Sequence, residues 1–215
     1  MSRDELIDIY DQNMNLLGTA PRSQAHSEGL WHQTFHCWIV SHPDKIWLQR
    51  RGLNVARHAC KLDISSAGHL RSGEKPKDGV REIKEELGLD ISYDKLTKLF
   101  TGKKVTNRLG YINREFTATY LYETDKKLSE LNLNSQQVSG LFEVCIDDLL
   151  NLFNRKVNKV FASGLLLNNK GNFELKSGSF DICDFTPHET EYYLKILNTA
   201  KRYLNGSKNQ NSNTY

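Results

Sequence analysis

Between Gly68 and Leu89, three glutamates, Glu82, Glu85 and Glu86, stand at i, i+3 and i+4 directly after a glycine-containing loop. At about 100° per residue this spacing puts them on one side of a helix, with neighbouring Cβ atoms roughly 6 Å apart. Val80, Ile83 and Leu87 fall on the other side and predict a face that buries against a core. The fold must therefore hold a helix with an apolar back and a self-repelling acidic front. Like charges this close call for a cation. An all-oxygen set suits a hard ion such as Mg²⁺, which takes one or two carboxylates together with substrate phosphates. A solvated acidic helix face is the alternative, and the Ala67-Gly68-His69 and Ser72-Gly73-Glu74 turns before the helix favour the metal.

Arg81 lies beside the acidic cluster, and its guanidinium fork is placed to reach back to Glu74 and tie loop to helix bidentately. The chemistry implied is metal-assisted attack of water on a phosphoanhydride.

The segment resembles the signature of the Nudix (MutT-like) diphosphate hydrolases: Gly, five residues, Glu, seven residues, then Arg-Glu-apolar-any-Glu-Glu-any-Gly-apolar. Gly68, Glu74, Arg81, Glu82, Ile83, Glu85, Glu86, Gly88 and Leu89 fill the specified positions, with six residues instead of seven between Glu74 and Arg81. The resemblance implies an α/β fold of the Nudix type, an α/β/α sandwich with a mixed sheet. It also implies an enzyme that cleaves a diphosphate linkage with Mg²⁺, or Mn²⁺ as the alternative. Glu82 and Glu86 are the expected metal ligands, grouped with Glu85 and Gly68. Glu85 either shares the ion or acts on the attacking water, and Arg81 belongs to the catalytic set.

Further segments, Trp31 to Trp38, Arg50-Arg51, Ala67-Gly68-His69 and Asn113-Arg114-Glu115, are similar to a Nudix subgroup that includes isopentenyl diphosphate isomerase. By that resemblance His32 and His69 correspond to metal-binding histidines. Glu115 falls where the subgroup places an additional acid, as metal ligand or general base, and Arg51 matches a diphosphate-contacting position. Residue by residue the ordinary readings stand beside these: a loop hydrogen bond for His69, packed or surface histidines for His32 and His36, an exposed strand glutamate for Glu115, a surface arginine for Arg51. Ala67 occupies the place of the isomerase cysteine. Gln136-Gln137 stands where related hydrolases carry a glutamate, which shifts the base role toward Glu115 or the helix glutamates.

The chain of 215 residues suits one large domain, or one with a small appendage. Its net charge of +3 is mild and its basic residues are scattered, so a small-molecule diphosphate is the expected partner and nucleic acid is not. Oligomeric state is not legible. Cys37, Cys60, Cys145 and Cys183 show no paired spacing, which favours a reduced interior. No apolar run approaches ~20 residues and the polar N-terminus is unlike a secretory signal, so the expected setting is soluble and cytoplasmic, away from membranes.

The expected organisation is an N-terminal hairpin and short helix over 1–30, a hydrolase domain over 31–205 and a disordered tail over 206–215. Strands are expected around the His42-Pro43-Asp44 turn, at 62–65, in a hairpin of 95–105 with 112–122 joined through Asn107 to Gly110, and at 141–145. A helix is expected over 147–154. Thr186-Pro187-His188-Glu189 reads as a capping box opening a terminal helix that Asn205-Gly206 stops. The pattern from 156 to 184 is too weak to place.

Overall fold

A computed structural model describes residues 4–55, 57–108 and 111–211. In chain order the elements are β1 (Leu6–Tyr10), β2 (Leu16–Pro21), α1 (Arg22–Glu28), β3 (Trp31–Ser41), β4 (Lys45–Arg51), β5 (Leu62–Asp63), β6 (Ser66–His69), α2 (Val80–Leu87), β7 (Thr97–Arg108), β8 (Tyr111–Thr124), β9 (Val138–Cys145), α3 (Ile146–Phe153), β10 (Val160–Leu167), β11 (Phe173–Phe180) and α4 (Thr190–Asn211). Contacts divide the chain into two units. One comprises Met1–Cys37, Ala67–Glu85 and Asp90–Leu121, the other Trp38–Ser66, Glu86–Leu89 and Tyr122–Tyr215.

In the first unit, β1 and β2 form an antiparallel hairpin and β1 also pairs with β3, Ile9 opposite His32. Gly29, at φ 66°, ends α1 in the left-handed conformation that glycine adopts freely, and its N–H caps the carbonyl of Ala25. β7 and β8 pair antiparallel along their length. β8 also lies beside β3, where His32 approaches Glu115 and Thr34 bonds Thr117. These contacts advance in the same direction along both strands, so β3 and β8 run parallel. The sheet is therefore mixed, as the α/β expectation required.

Phe35 on β3 stacks on Tyr120 of β8 at 5.3 Å between centroids. A Cβ on Gly79, in the turn before α2, would sit 2.4 Å from the Phe35 ring, so only glycine lets that turn close on β3. Ile83 and Leu87 are fully buried on the back of α2, and Val80 is half-buried.

The second unit orders its strands β11-β10-β9-β4, with β5 on β4. Trp47, Leu48 and Phe142 are buried there, and Phe153 of α3 stacks on Tyr193 of α4 at 4.3 Å. The stretch from 156 to 184 resolves into the β10–β11 hairpin.

Three expectations change. The Thr186 hydroxyl does not cap a helix: it lies 2.9 Å from Asp63 Oδ1 and 3.1 Å from the Tyr193 hydroxyl, and α4 starts at Thr190. Nor does Asn205-Gly206 stop the helix, which runs to Asn211; an exposed glycine costs only about 1 kcal/mol in a helix. The expected tail from 206 is thus helical to 211, and 212–215 lie outside the described residues. The strand expected over 62–65 is two residues long, because Ser65 turns its hydroxyl to the Trp47 carbonyl and the Ile39 N–H. The Leu109-Gly110 part of the expected hairpin joint also lies outside the described residues.

Candidate functional site

α2 carries Glu82, Glu85 and Glu86 as its sequence requires, and each carboxylate meets a different environment. Glu82 is buried, with 8% of its surface exposed. Burial pushes its pKa up and Glu85 adds repulsion, against the pull of Arg81, whose Nη1 lies 2.9 Å from Glu82 Oε1. Glu86 is buried too, and the Ser66 hydroxyl donates to its Oε2 at 2.7 Å. Glu85 is partly open to solvent and accepts from Arg81 at 3.0 Å.

The loop tie survives the missing residue. Arg81 Nε and Nη2 donate to the two oxygens of Glu74 at 2.9 and 3.0 Å, and the Arg71 N–H donates to Glu74 at 2.8 Å. Burial raises the Glu74 pKa, but these hydrogen bonds together hold it below its ordinary value. Arg81 therefore positions the loop and the helix carboxylates, with Nη2 also directed to the His69 carbonyl at 3.4 Å. Gly68 matters for space. A Cβ there would fall 2.1 Å from the Glu82 carboxyl carbon, so glycine lets the carboxylate lie against the β6 backbone.

Next to Gly68, His69 joins a second group. One ligand nitrogen each from His26, His32 and His69 lies within 4.8 Å of the others. His26 Nε2 and His69 Nε2 are 3.1 Å apart, and the His32 and His69 rings stack at 5.1 Å. Burial, followed by repulsion from Arg22 and the neighbouring histidines, pushes His69 well below its usual pKa. Burial lowers His32 as well. Both are neutral imidazoles, the form that binds metals.

The His32 tautomer is fixed by its surroundings. Its Nδ1 is 2.9 Å from the Leu30 carbonyl, which can only accept, so the proton sits on Nδ1 and Nε2 presents a lone pair. That Nε2 is buried without a hydrogen-bond partner among the described residues, and it faces the Glu115 carboxylate at 4.0 Å. Two acceptors facing each other in a buried place are repulsive unless a proton or a cation lies between them. Glu115 is itself buried, not an exposed strand residue. The donor set thus fits a divalent ion that accepts imidazole nitrogen and carboxylate oxygen.

Arg51, expected at the diphosphate, is engaged by other groups. Arg51 donates to Asp63 at 3.0 Å and to the Arg57 carbonyl at 3.1 Å. Asp63 also takes bonds from Thr186, His188 and the Ile64 N–H. Burial would raise its pKa, yet His188, Arg51 and the backbone hold it far below the carboxylate range. His36 is buried on β3 and is not one of the three clustered histidines. Sequence reasoning missed His26. It sits on a separate short helix, and only the turn at Gly29, which leads α1 into β3, brings it beside His32.

A NUDIX domain family model matches residues 30–163. Among curated proteins, an uncharacterized Nudix hydrolase of Clostridium acetobutylicum is 36% identical over 197 residues, 90% of this chain and 96% of that protein. An isopentenyl-diphosphate Delta-isomerase of Photorhabdus laumondii is 26% identical over 125 residues, 58% of this chain and 70% of that protein. Among solved structures, a Deinococcus radiodurans protein superposes with a TM-score of 0.54 at 20% identity, covering 70% of this chain and 90% of that one. No described helix is long and apolar enough to cross a membrane.

Proposed function

The chain belongs to the Nudix family, and on that premise we propose that it is a hydrolase that cleaves the diphosphate linkage of a small molecule with Mg²⁺ or Mn²⁺. The observation that carries this reading is the intact acidic front of α2, with Arg81 locked between Glu74 and the helix carboxylates at 2.9 to 3.0 Å.

Glu82, Glu85 and Glu86 would hold the hard cation. The buried, destabilised carboxylate of Glu82 fits that role, because its burial is offset when a cation pairs with it. His26, His32, His69 and Glu115 would hold a second ion of borderline character. When bound, such ions neutralise phosphate charge and favour deprotonation of an attacking water. The protein's own residues supply the rest. Arg81 and Glu74 fix the loop against the helix, and Gly68 leaves room for Glu82. Glu85, partly exposed beside Arg81, would share the ion or act on the attacking water, and Glu115, which faces His32, is the alternative base where it does not serve as a ligand.

The second reading is an isopentenyl diphosphate isomerase, favoured by the three-histidine group. Allylic isomerisation adds a proton at one carbon and removes one from another, and Ala67 supplies no titratable group where the resembling isomerases carry a cysteine. A non-catalytic nucleotide-binding domain is less well supported, because the acidic set is whole.

Incubation of the protein with Mg²⁺ and a panel of diphosphate compounds, with products separated by ion exchange, tests hydrolysis. Isopentenyl diphosphate in D₂O tests the alternative. Hydrolysis of a panel member without deuterium incorporation is the expected result, and rapid solvent exchange without hydrolysis would reverse the order.

A further inference from the structure

We propose that the outer edge of β11 is a self-complementary dimerisation strand, on which a second copy of this chain pairs antiparallel about a two-fold axis through Leu175. β11 ends its sheet: among the described residues it pairs with β10 alone. It runs eight residues without a proline or a register shift, so charged side chains are what remains of the devices that ordinarily blunt an edge. Leu175 stands 73% exposed on it.

The hairpin turn says which main-chain groups face outward. The Asn168 N–H donates to the Asn172 carbonyl at 2.8 Å and the Gly171 N–H to the Asn168 carbonyl at 3.0 Å, so 168 and 172 close the turn as a hydrogen-bonded pair. Such pairs alternate with non-bonded ones along an antiparallel ladder. Along the unbroken register, Leu166 with Glu174 and Gly164 with Lys176 are then bonded pairs, whereas Leu167 with Phe173, Leu165 with Leu175 and Ser163 with Ser177 are not. The Ser163 and Ser177 hydroxyls, 2.9 Å apart, fit the closer side-chain approach of the second kind. The N–H and C=O groups of Phe173, Leu175 and Ser177 therefore point away from β10, to the open edge.

Charge selects the register. Glu174 and Lys176 flank Leu175, both exposed, with Nζ and Oε1 3.3 Å apart. Outward groups must meet outward groups, so a two-fold axis passes through a residue. An axis through Glu174 or Lys176 sets that residue opposite its own copy, and one through Phe173 sets Lys176 opposite Lys170 of the partner subunit; like charges directly opposite are destabilising. An axis through Ser177 sets Glu174 opposite Phe180 of the partner subunit. Of the axes within β11, only that through Leu175 sets Glu174 opposite Lys176 of the partner subunit and Lys176 opposite Glu174 of the partner subunit. On the other face the same register aligns Leu165 and Leu175 with Leu175 and Leu165 of the partner subunit, an apolar row across the joined sheets. Main-chain groups, charges and apolar row are satisfied together by a copy of the same strand, as an isologous interface requires.

Light scattering after size exclusion, over a range of concentrations, tests this on the full chain. Wild type should approach twice the mass of one chain as concentration rises. Glu174→Lys and Lys176→Glu each set like charges opposite one another and should weaken association by about tenfold or more. Both residues are exposed, so each variant should keep the wild-type circular dichroism. An equal mixture of the two variants sets lysines of one chain opposite glutamates of the other and should restore the dimer. A wild type that stays monomeric would overturn the inference and leave the edge to a different extended partner. Dimers unaffected by either substitution, or a mixture that associates no better than its components, would overturn it by placing the contact elsewhere. Leu175→Asp, which sets two carboxylates face to face on the axis, serves where a charge variant does not fold: association at wild-type strength would overturn the inference equally.

Discussion

His32 turns an unprotonated Nε2 toward the carboxylate of Glu115 across 4.0 Å, in a buried place where neither can bond the other without a proton or a cation. We expect a divalent ion to settle that contact. Mn²⁺ at about a hundred times its dissociation constant should stabilise the protein by about 2.7 kcal/mol, read as a rise in melting temperature. Glu115→Gln should lose most of the rise, and a full rise in that variant would remove Glu115 from the centre.

The pH dependence of the metal-free protein follows from the depressed His69. The folded state holds it neutral while the unfolded chain takes a proton near the ordinary 6.5. Acidification below about 6.5 therefore favours the unfolded chain, and the loss levels off beneath the folded-state pKa. Compared with His69→Asn, wild type should lose stability more steeply in that window. A stability difference between the two that does not change with pH would contradict this.

Gly68→Ala places a methyl group 2.1 Å from the Glu82 carboxyl carbon, so the carboxylate has to move. Displacement of a reacting group by about 1 Å can cost about 10²-fold in rate. Steady-state turnover should fall by that order with circular dichroism unchanged, and wild-type turnover would show that Glu82 need not lie against β6.

Glu74→Gln removes the bidentate partner of Arg81. The pair is partly exposed, so a stability loss of about 1 to 2 kcal/mol is expected from chemical denaturation. Turnover should drop through a loosened loop. Harmless substitution on both counts would mean that the shortened loop does not depend on the tie.

What the sequence made legible is what lies close along the chain. Glu82, Glu85 and Glu86 share a helix face by spacing alone, and Glu74 is near enough to Arg81 for their bond to be foreseen. His26 was beyond reach, since nothing in its neighbourhood marks it and its partners come from β3 and β6. Glu115 read equally well as a surface residue because alternation along a strand does not say which face is covered. Exposed Phe161 and Leu175 blurred the β10–β11 pattern. At Thr186 a sound local signal lost to a distant one: the buried carboxylate of Asp63 claimed the hydroxyl that would have capped a helix.

The most direct test of the acidic front as the seat of catalysis is the rate of diphosphate cleavage by Glu86→Gln beside wild type, at saturating Mg²⁺, on whichever panel compound wild type cleaves. The carboxamide keeps the size of the side chain and can still accept from Ser66, so the variant should fold. We expect cleavage by wild type and a loss of about 10²-fold or more in the variant. Near-normal hydrolysis by a folded, metal-saturated Glu86→Gln protein would contradict the assignment.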